Sequence, residues 1–124
     1  MKLNYKKLLR QIDEAGACMK NLRAFAYFVE HEMYEEAREP FGWHTDGWLV
    51  VNGIIKENWY RKSWKQISKQ LGIKRIITYH RNNKPDCYTI DENGRLSTEG
   101  ADEIVNDPKY TIPEDYVYKR IGTS

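Results

Sequence analysis

Cysteine is scarce in this chain, and its scarcity bounds the chemistry first. Cys18 and Cys87 are the two cysteines among 124 residues. They lie far apart, with no CxxC or Cys/His spacing around either, so neither a disulfide framework nor a cysteine-rich metal knot is indicated. Both are read as reduced, structural thiols. No apolar run approaches the roughly 18 residues of a membrane span. Residues 1–10 scatter Lys and Arg among isolated apolar side chains instead of forming the apolar stretch of a secretory signal, and the chain is expected in the cytoplasm. Low-complexity segments and internal repeats are lacking too. Gly42, Gly47 and Gly53 fit loops and a turn, and do not form a phosphate-cradling loop.

What is present suffices for one domain, residues 1–124, with 40% hydrophobic and 13% aromatic residues to build its core. The formal charge of +2 is unevenly spread. Residues 1–55 carry a net −1, residues 56–84 a net +8 and residues 85–124 a net −5. A segregation of this size speaks to partners more than to fold.

Tyr5, Leu8, Leu9 and Ile12 recur at helical spacing, with Asn4 placed to cap the start and Gly16 to end the run. A second periodic run puts Leu22, Phe25, Ala26, Val29 and Met33 on one face and Glu30, Glu32, Glu35 and Glu36 on its later turns. That helix is expected to end before Pro40. These two helices make a helical part, residues 1–39. Trp48 to Val51, the turn dipeptide Asn52-Gly53 and Ile54-Ile55 predict a β-hairpin over 47–57.

Ser63 followed by Gln66 has the form of a capping box, and Trp64, Ile67 and Leu71 then share a helical face until Gly72. Ile76 to Tyr79, a polar turn through Pro85-Asp86, and Cys87 to Ile90 predict a second hairpin. Hairpins and basic helix thus occupy 47–96. Asp91 to Gly94 is a further turn signal, and Ser97 to Val105 reads as a helical turn or two. Residues 110–121, broken by Pro113, are an edge strand or a packed tail. The acidic tail region spans 97–124. The fold class is therefore α+β: two N-terminal helices on a mainly antiparallel sheet of hairpins, with a short basic helix.

Lys56, Arg61, Lys62, Lys65, Lys69, Lys74, Arg75, Arg81 and Lys84 are interleaved with Trp59, Tyr60, Trp64 and Tyr79. Cations displace condensed counterions from a phosphate backbone, and exposed rings stack on bases, so this pattern suits a nucleic acid. Within it, Trp64 to Ile73 resembles the first helix and turn of a helix-turn-helix, with a small residue at Ser68 and the turn glycine at Gly72. That resemblance implies a recognition helix after Ile73, yet the β-branched run Ile76-Ile77-Thr78 reads as strand. A winged arrangement reconciles the two, with Arg81, Asn82, Asn83 and Lys84 at the wing tip. The alternatives are a solvated basic face and docking onto an acidic protein surface.

Groups suited to catalysis do not assemble into a motif. His44 and Asp46 sit two apart in a loop without a third partner, where local hydrogen bonding accounts for them. His31, Glu32, Glu35 and Glu36 match no helical metal spacing and read as a hydrated face. His80 would need clustered carboxylates to serve a nuclease, and Asp86 and Asp91 are the nearest. No metal, cofactor or enzymatic activity is expected. The leading expectation is a non-enzymatic nucleic-acid-binding or regulatory protein using Arg61, Lys62, Lys65, Lys69, Lys74, Arg75, Arg81, Lys84, Trp59 and Tyr79. The alternative is an inhibitor or adaptor that docks on a nucleic-acid-handling protein, as phage anti-defence proteins do, with acidic residues imitating phosphates.

Overall fold

A computed structural model describes residues 4–14, 19–38, 63–79 and 83–119. The expected hairpin over 47–57 lies outside the described residues, as do Cys18, His44, Asp46, Trp59, Tyr60, Arg61, Lys62, His80, Arg81 and Asn82.

Helix α1 spans Tyr5–Glu14. Asn4 caps it as expected, its Oδ1 accepting from the Lys7 N–H at 3.1 Å. Leu8, Leu9 and Ile12 are buried, and their stripe packs on helix α2, Met19–Glu30. Leu22, Phe25, Ala26 and Val29 are buried as the periodicity predicts, but so are Asn21, Ala24 and Phe28. α2 is therefore enclosed on most of its circumference, which a one-sided stripe does not anticipate.

α2 also ends well before Pro40. Glu32 adopts φ 56°, the Met33 N–H reaches back to Phe28 O at 2.7 Å, and the Glu32 N–H to Val29 O at 3.1 Å. This is a Schellman termination with a glutamate where glycine is usual. Met33 still packs on the core, brought there by the chain reversal and not by a continuing helical face. Glu32, Glu35 and Glu36 consequently leave the helix, and Glu36–Arg38 forms a single 3-10 turn.

Helix α3, Trp64–Leu71, leads into a three-stranded antiparallel sheet of order β1-β2-β3: β1 Arg75–Thr78, β2 Asp86–Ile90 and β3 Leu96–Ser97. Ile77 pairs with Cys87 and Ile76 with Tyr88. Side chains alternate across the pleat. Ile77, Tyr79 and Cys87 accordingly join the main core with α1, α2 and the later segments, whereas Ile67, Ile73 and Ile76 are buried outside that cluster. α3, which approaches β2, thus covers the second face of the sheet.

Strand β3 takes Ser97, which the sequence placed in a helical turn; the short helix α4 begins later, at Asp102–Val105. Beyond a 3-10 turn at Pro108–Tyr110, the chain to Lys119 is a packed tail with Ile112 and Tyr118 buried, and no strand occurs in it among the described residues. Its hydroxyls fasten it to the helices: Tyr118 Oη donates to Asp13 Oδ2 at 3.0 Å and Tyr116 Oη to Glu30 Oε2 at 2.5 Å. The Tyr116 phenol is held neutral far above its usual range by burial first, then by its bond to Glu30, with Arg23 opposing.

Candidate nucleic-acid interface

The basic helix is built locally as its sequence dictates. Ser63 Oγ accepts from the Gln66 N–H at 3.3 Å, and Gln66 Oε1 accepts from the Ser63 N–H at 3.1 Å, which satisfies two donors at the helix start. At the other end Gly72 takes φ 68°, ψ 28°, the left-handed geometry that glycine tolerates best, and its N–H and that of Ile73 both turn back to Ser68 O. Ile67 is buried and anchors the inner face. Lys65, Gln66 and Lys69 are exposed on the outer one. Replacing Ser63 by Ala is expected to lower stability by about 1 kcal/mol in denaturant unfolding, and Ser63→Asp to be near neutral. An unchanged midpoint in Ser63→Ala would contradict the cap's contribution.

The turn between β2 and β3 rests against this helix. Gly94, at φ 80°, is so close that an added Cβ would lie 2.7 Å from the Lys65 nitrogen and 2.9 Å from its Cβ. Asp91 shapes the turn, its Oδ1 accepting from Asn93 N at 2.8 Å and Arg95 N at 2.9 Å. α3 has no acid in its own first turn.

The candidate site residues are brought together only in part. Lys65 and Lys69 stand one turn apart on α3, and Lys74, also exposed, follows the helix in the link to β1. Lys84 is exposed at the far end of the hairpin. Arg75 is half-buried, and the pleat sends it to the face of Ile77 and Tyr79, away from the α3 side. Tyr79 corrects the expectation of an exposed stacking ring. It is 2% exposed, its N–H donates to Asn21 Oδ1 at 2.9 Å, and its hydroxyl donates to Tyr110 O at 2.7 Å. Burial, and then the neighbouring Tyr110, push its phenol well above the ordinary range. It is a core residue. Trp59, Arg61, Lys62 and Arg81 lie outside the described residues. The segment that a helix-turn-helix would make its recognition helix is strand β1, as the β-branched run predicts.

Of the groups considered for chemistry, His31 donates from Nδ1 to Tyr27 O at 2.8 Å and its ring lies against Tyr27, which gives it a local packing role. Glu36 pairs with Lys109 at 3.4 Å. Cys87 is a buried thiol. No group of three His, Cys, Asp or Glu placed to hold a metal ion occurs among the described residues. Among them, too, no helix is long and apolar enough to cross a membrane.

Arg23 was missed by the sequence reading. Its guanidinium donates from Nε to Tyr116 O at 3.0 Å, from Nη1 to Asn83 Oδ1 at 2.7 Å and from Nη2 to Pro113 O, and it lies 5.6 Å from the centre of the Tyr116 ring. One side chain thus joins α2, the end of the hairpin and the tail. An arginine flanked by the apolar Leu22 and Ala24 in the middle of the helix was the available signal. Its partners, 60 and more residues away in sequence, were not. Compared with models of protein families, with curated proteins and with solved structures, the chain matches none.

Proposed function

We propose that the protein is a cytoplasmic, non-enzymatic nucleic-acid-binding protein whose contact surface centres on the outer face of α3. The observation that carries this reading is the exposed pair Lys65 and Lys69 on a helix capped at both ends and anchored by Ile67, with Lys74 immediately beyond. A rigid helix presenting like charges one turn apart favours a polyanion, because the repulsion between the lysines is relieved when phosphates approach. The buried Tyr79 removes one of the stacking platforms that the sequence suggested. Fluorescence anisotropy with labelled duplex DNA, single-stranded DNA and RNA at about 50 mM salt tests the proposal directly. Saturable binding to at least one is expected. Failure with all three overturns the reading.

A second reading, capture of a nucleic-acid-handling protein by phosphate mimicry, draws on exposed acids in a short stretch: Glu99, Asp102 and Glu103. Against it, Asp102 and Glu103 occupy the first turn of α4, where they offset the helix dipole. Asp107 caps the next turn, accepting from Lys109 N at 3.1 Å, and Asp91 is committed to its own. The triple change Glu99→Gln, Asp102→Asn, Glu103→Gln is expected to preserve or strengthen nucleic-acid binding, since it removes like charge from the protein. Weakened binding to nucleic acid would contradict the leading reading. Slower capture of a protein partner, most pronounced at low salt, would favour the second.

A further inference from the structure

We propose that Asn93-Gly94, in the turn between β2 and β3, is a self-modification site at which Asn93 converts to isoaspartate and aspartate and sets a carboxylate on the turn that rests against α3. The conversion follows from the turn alone. Its effect on binding rests on the reading of α3 given above.

Two groups meet the chemical requirement here. Asn93 is exposed, and among the described residues its side-chain amide has no partner. Gly94 follows it without a Cβ, so no side chain on that residue screens its backbone nitrogen from the Asn93 amide carbon. Asn4, Asn21, Asn83 and Asn106 are instead followed by Tyr5, Leu22, Lys84 and Asp107, each of which carries such a screen. Asn52-Gly53 shares the dipeptide and lies outside the described residues.

The step balances with water as its one co-reactant. The Gly94 nitrogen loses its proton and attacks Asn93 Cγ; the Cγ–Nδ2 bond breaks and ammonia leaves, closing a cyclic imide. Water then opens the ring. Addition at Cγ restores the main chain and leaves aspartate. Addition at the Asn93 backbone carbonyl cleaves the original peptide bond and routes the main chain through Cβ and Cγ, as isoaspartate. Either product exchanges a neutral amide for a carboxylate, with no change of oxidation state.

The turn governs access to that step. The Gly94 N–H donates to Asp91 O at 3.0 Å, and Asp91 Oδ1 accepts from Asn93 N at 2.8 Å and Arg95 N at 2.9 Å. These bonds to one exposed residue must loosen before the Gly94 nitrogen turns on Cγ, and exposed backbone bonds of this kind open at low cost. Asp91 is thus the positioning residue that slows the conversion. Isoaspartate also fails to fit the closed turn. Gly94 already lies so close to α3 that an added Cβ would be 2.7 Å from the Lys65 nitrogen, which leaves no room toward the helix for an extra main-chain carbon.

The test incubates the full chain, native and in denaturant, at mildly alkaline pH and follows peptide masses, with methylation by an isoaspartyl methyltransferase as the product-specific readout. Native Asn93 is expected to gain the mass of an amide-to-acid exchange ahead of Asn83 and Asn106. Asn93→Gln is expected to abolish methylation of this peptide, and Asp91→Ala to speed conversion by freeing the turn. Asn52-Gly53 is followed in its own peptide. Amide NMR signals of Lys65 and its neighbours on α3 are expected to move as isoaspartate accumulates. Conversion at Asn93 no faster than at Asn83 or Asn106, conversion in denaturant only, an unchanged rate in Asp91→Ala, or unmoved α3 signals would overturn the inference. Asn93→Asp supplies the aspartate product directly and is expected to weaken nucleic-acid binding about threefold at low salt, the effect of one exposed charge near Lys65. A parent chain that binds no nucleic acid overturns the reading of α3 alone, because masses, methylation and α3 signals judge the modification without it.

Discussion

Phe28→Ala is expected to cost about 3–5 kcal/mol in denaturant unfolding, the largest effect on stability considered for this chain. Phe28 is fully buried, and its ring meets Tyr27 at 5.7 Å and Tyr110 at 6.0 Å between centroids, both edge-on. Truncation to Ala removes the transfer energy of the ring and the favourable edge contacts, and leaves a void that the helix backbone cannot close. A truncation to Ala at the surface supplies the control: Val117 is 76% exposed, and Val117→Ala should stay within about 0.5 kcal/mol of the parent. A loss under about 1 kcal/mol in Phe28→Ala would mean that α2 is not enclosed as described.

Phe28 also shows where the sequence stopped being legible. Spacing along α2 identifies Leu22, Phe25, Ala26 and Val29 because an amphipathic stripe needs only one covering partner. Phe28 and Ala24 fall off that stripe, and their burial depends on the sheet and on Tyr110, elements that local periodicity cannot place. The two ends of α3 were legible for the opposite reason. Ser63, Gln66 and Gly72 act on backbone groups within four residues, so their chemistry is written in adjacent positions. The end of α2 was not legible, since Glu32 takes a left-handed conformation without the glycine that signals one. The hairpin Arg75–Ile90 followed from its β-branched runs and polar turn. Strand β3 did not, being two residues long and held largely by its partner.

In the candidate site the limit is similar. Lysines could be read as exposed from composition, and Lys65, Lys69, Lys74 and Lys84 are. An aromatic residue among cations carries no such mark: Tyr79 sits at the end of an alternating strand, and only its tertiary bonds to Asn21 and Tyr110 reveal that it faces inward. Sequence proximity groups Arg75 with the α3 lysines, whereas the pleat separates their faces.

Reversal of the helix charge is expected to produce the largest functional effect. Lys65→Glu/Lys69→Glu replaces two cations by two anions on the outer face and leaves Ile67, the capping box and Gly72 in place. Each phosphate contact contributes through counterion release, and each introduced carboxylate repels the strand in addition. Binding should fall by at least about a hundredfold at low salt, on the order of 3 kcal/mol. Unfolding of the variant should remain cooperative, because neither position contributes to the core. Retained affinity would relocate the contact to another surface. Exposed Lys6, Lys7 and Arg10 on α1 form the next basic face among the described residues.

The most direct measurement is the salt dependence of nucleic-acid affinity in the parent and in Lys65→Gln/Lys69→Gln, which neutralises without repelling. For duplex DNA the slope of log K against log salt is about −0.9 per neutralised phosphate. Removing two contacts should make the variant's slope shallower by about 1.8 and weaken binding similarly across sequences. Parallel plots, with equal slopes for parent and variant, would contradict the assignment of α3 as the nucleic-acid contact.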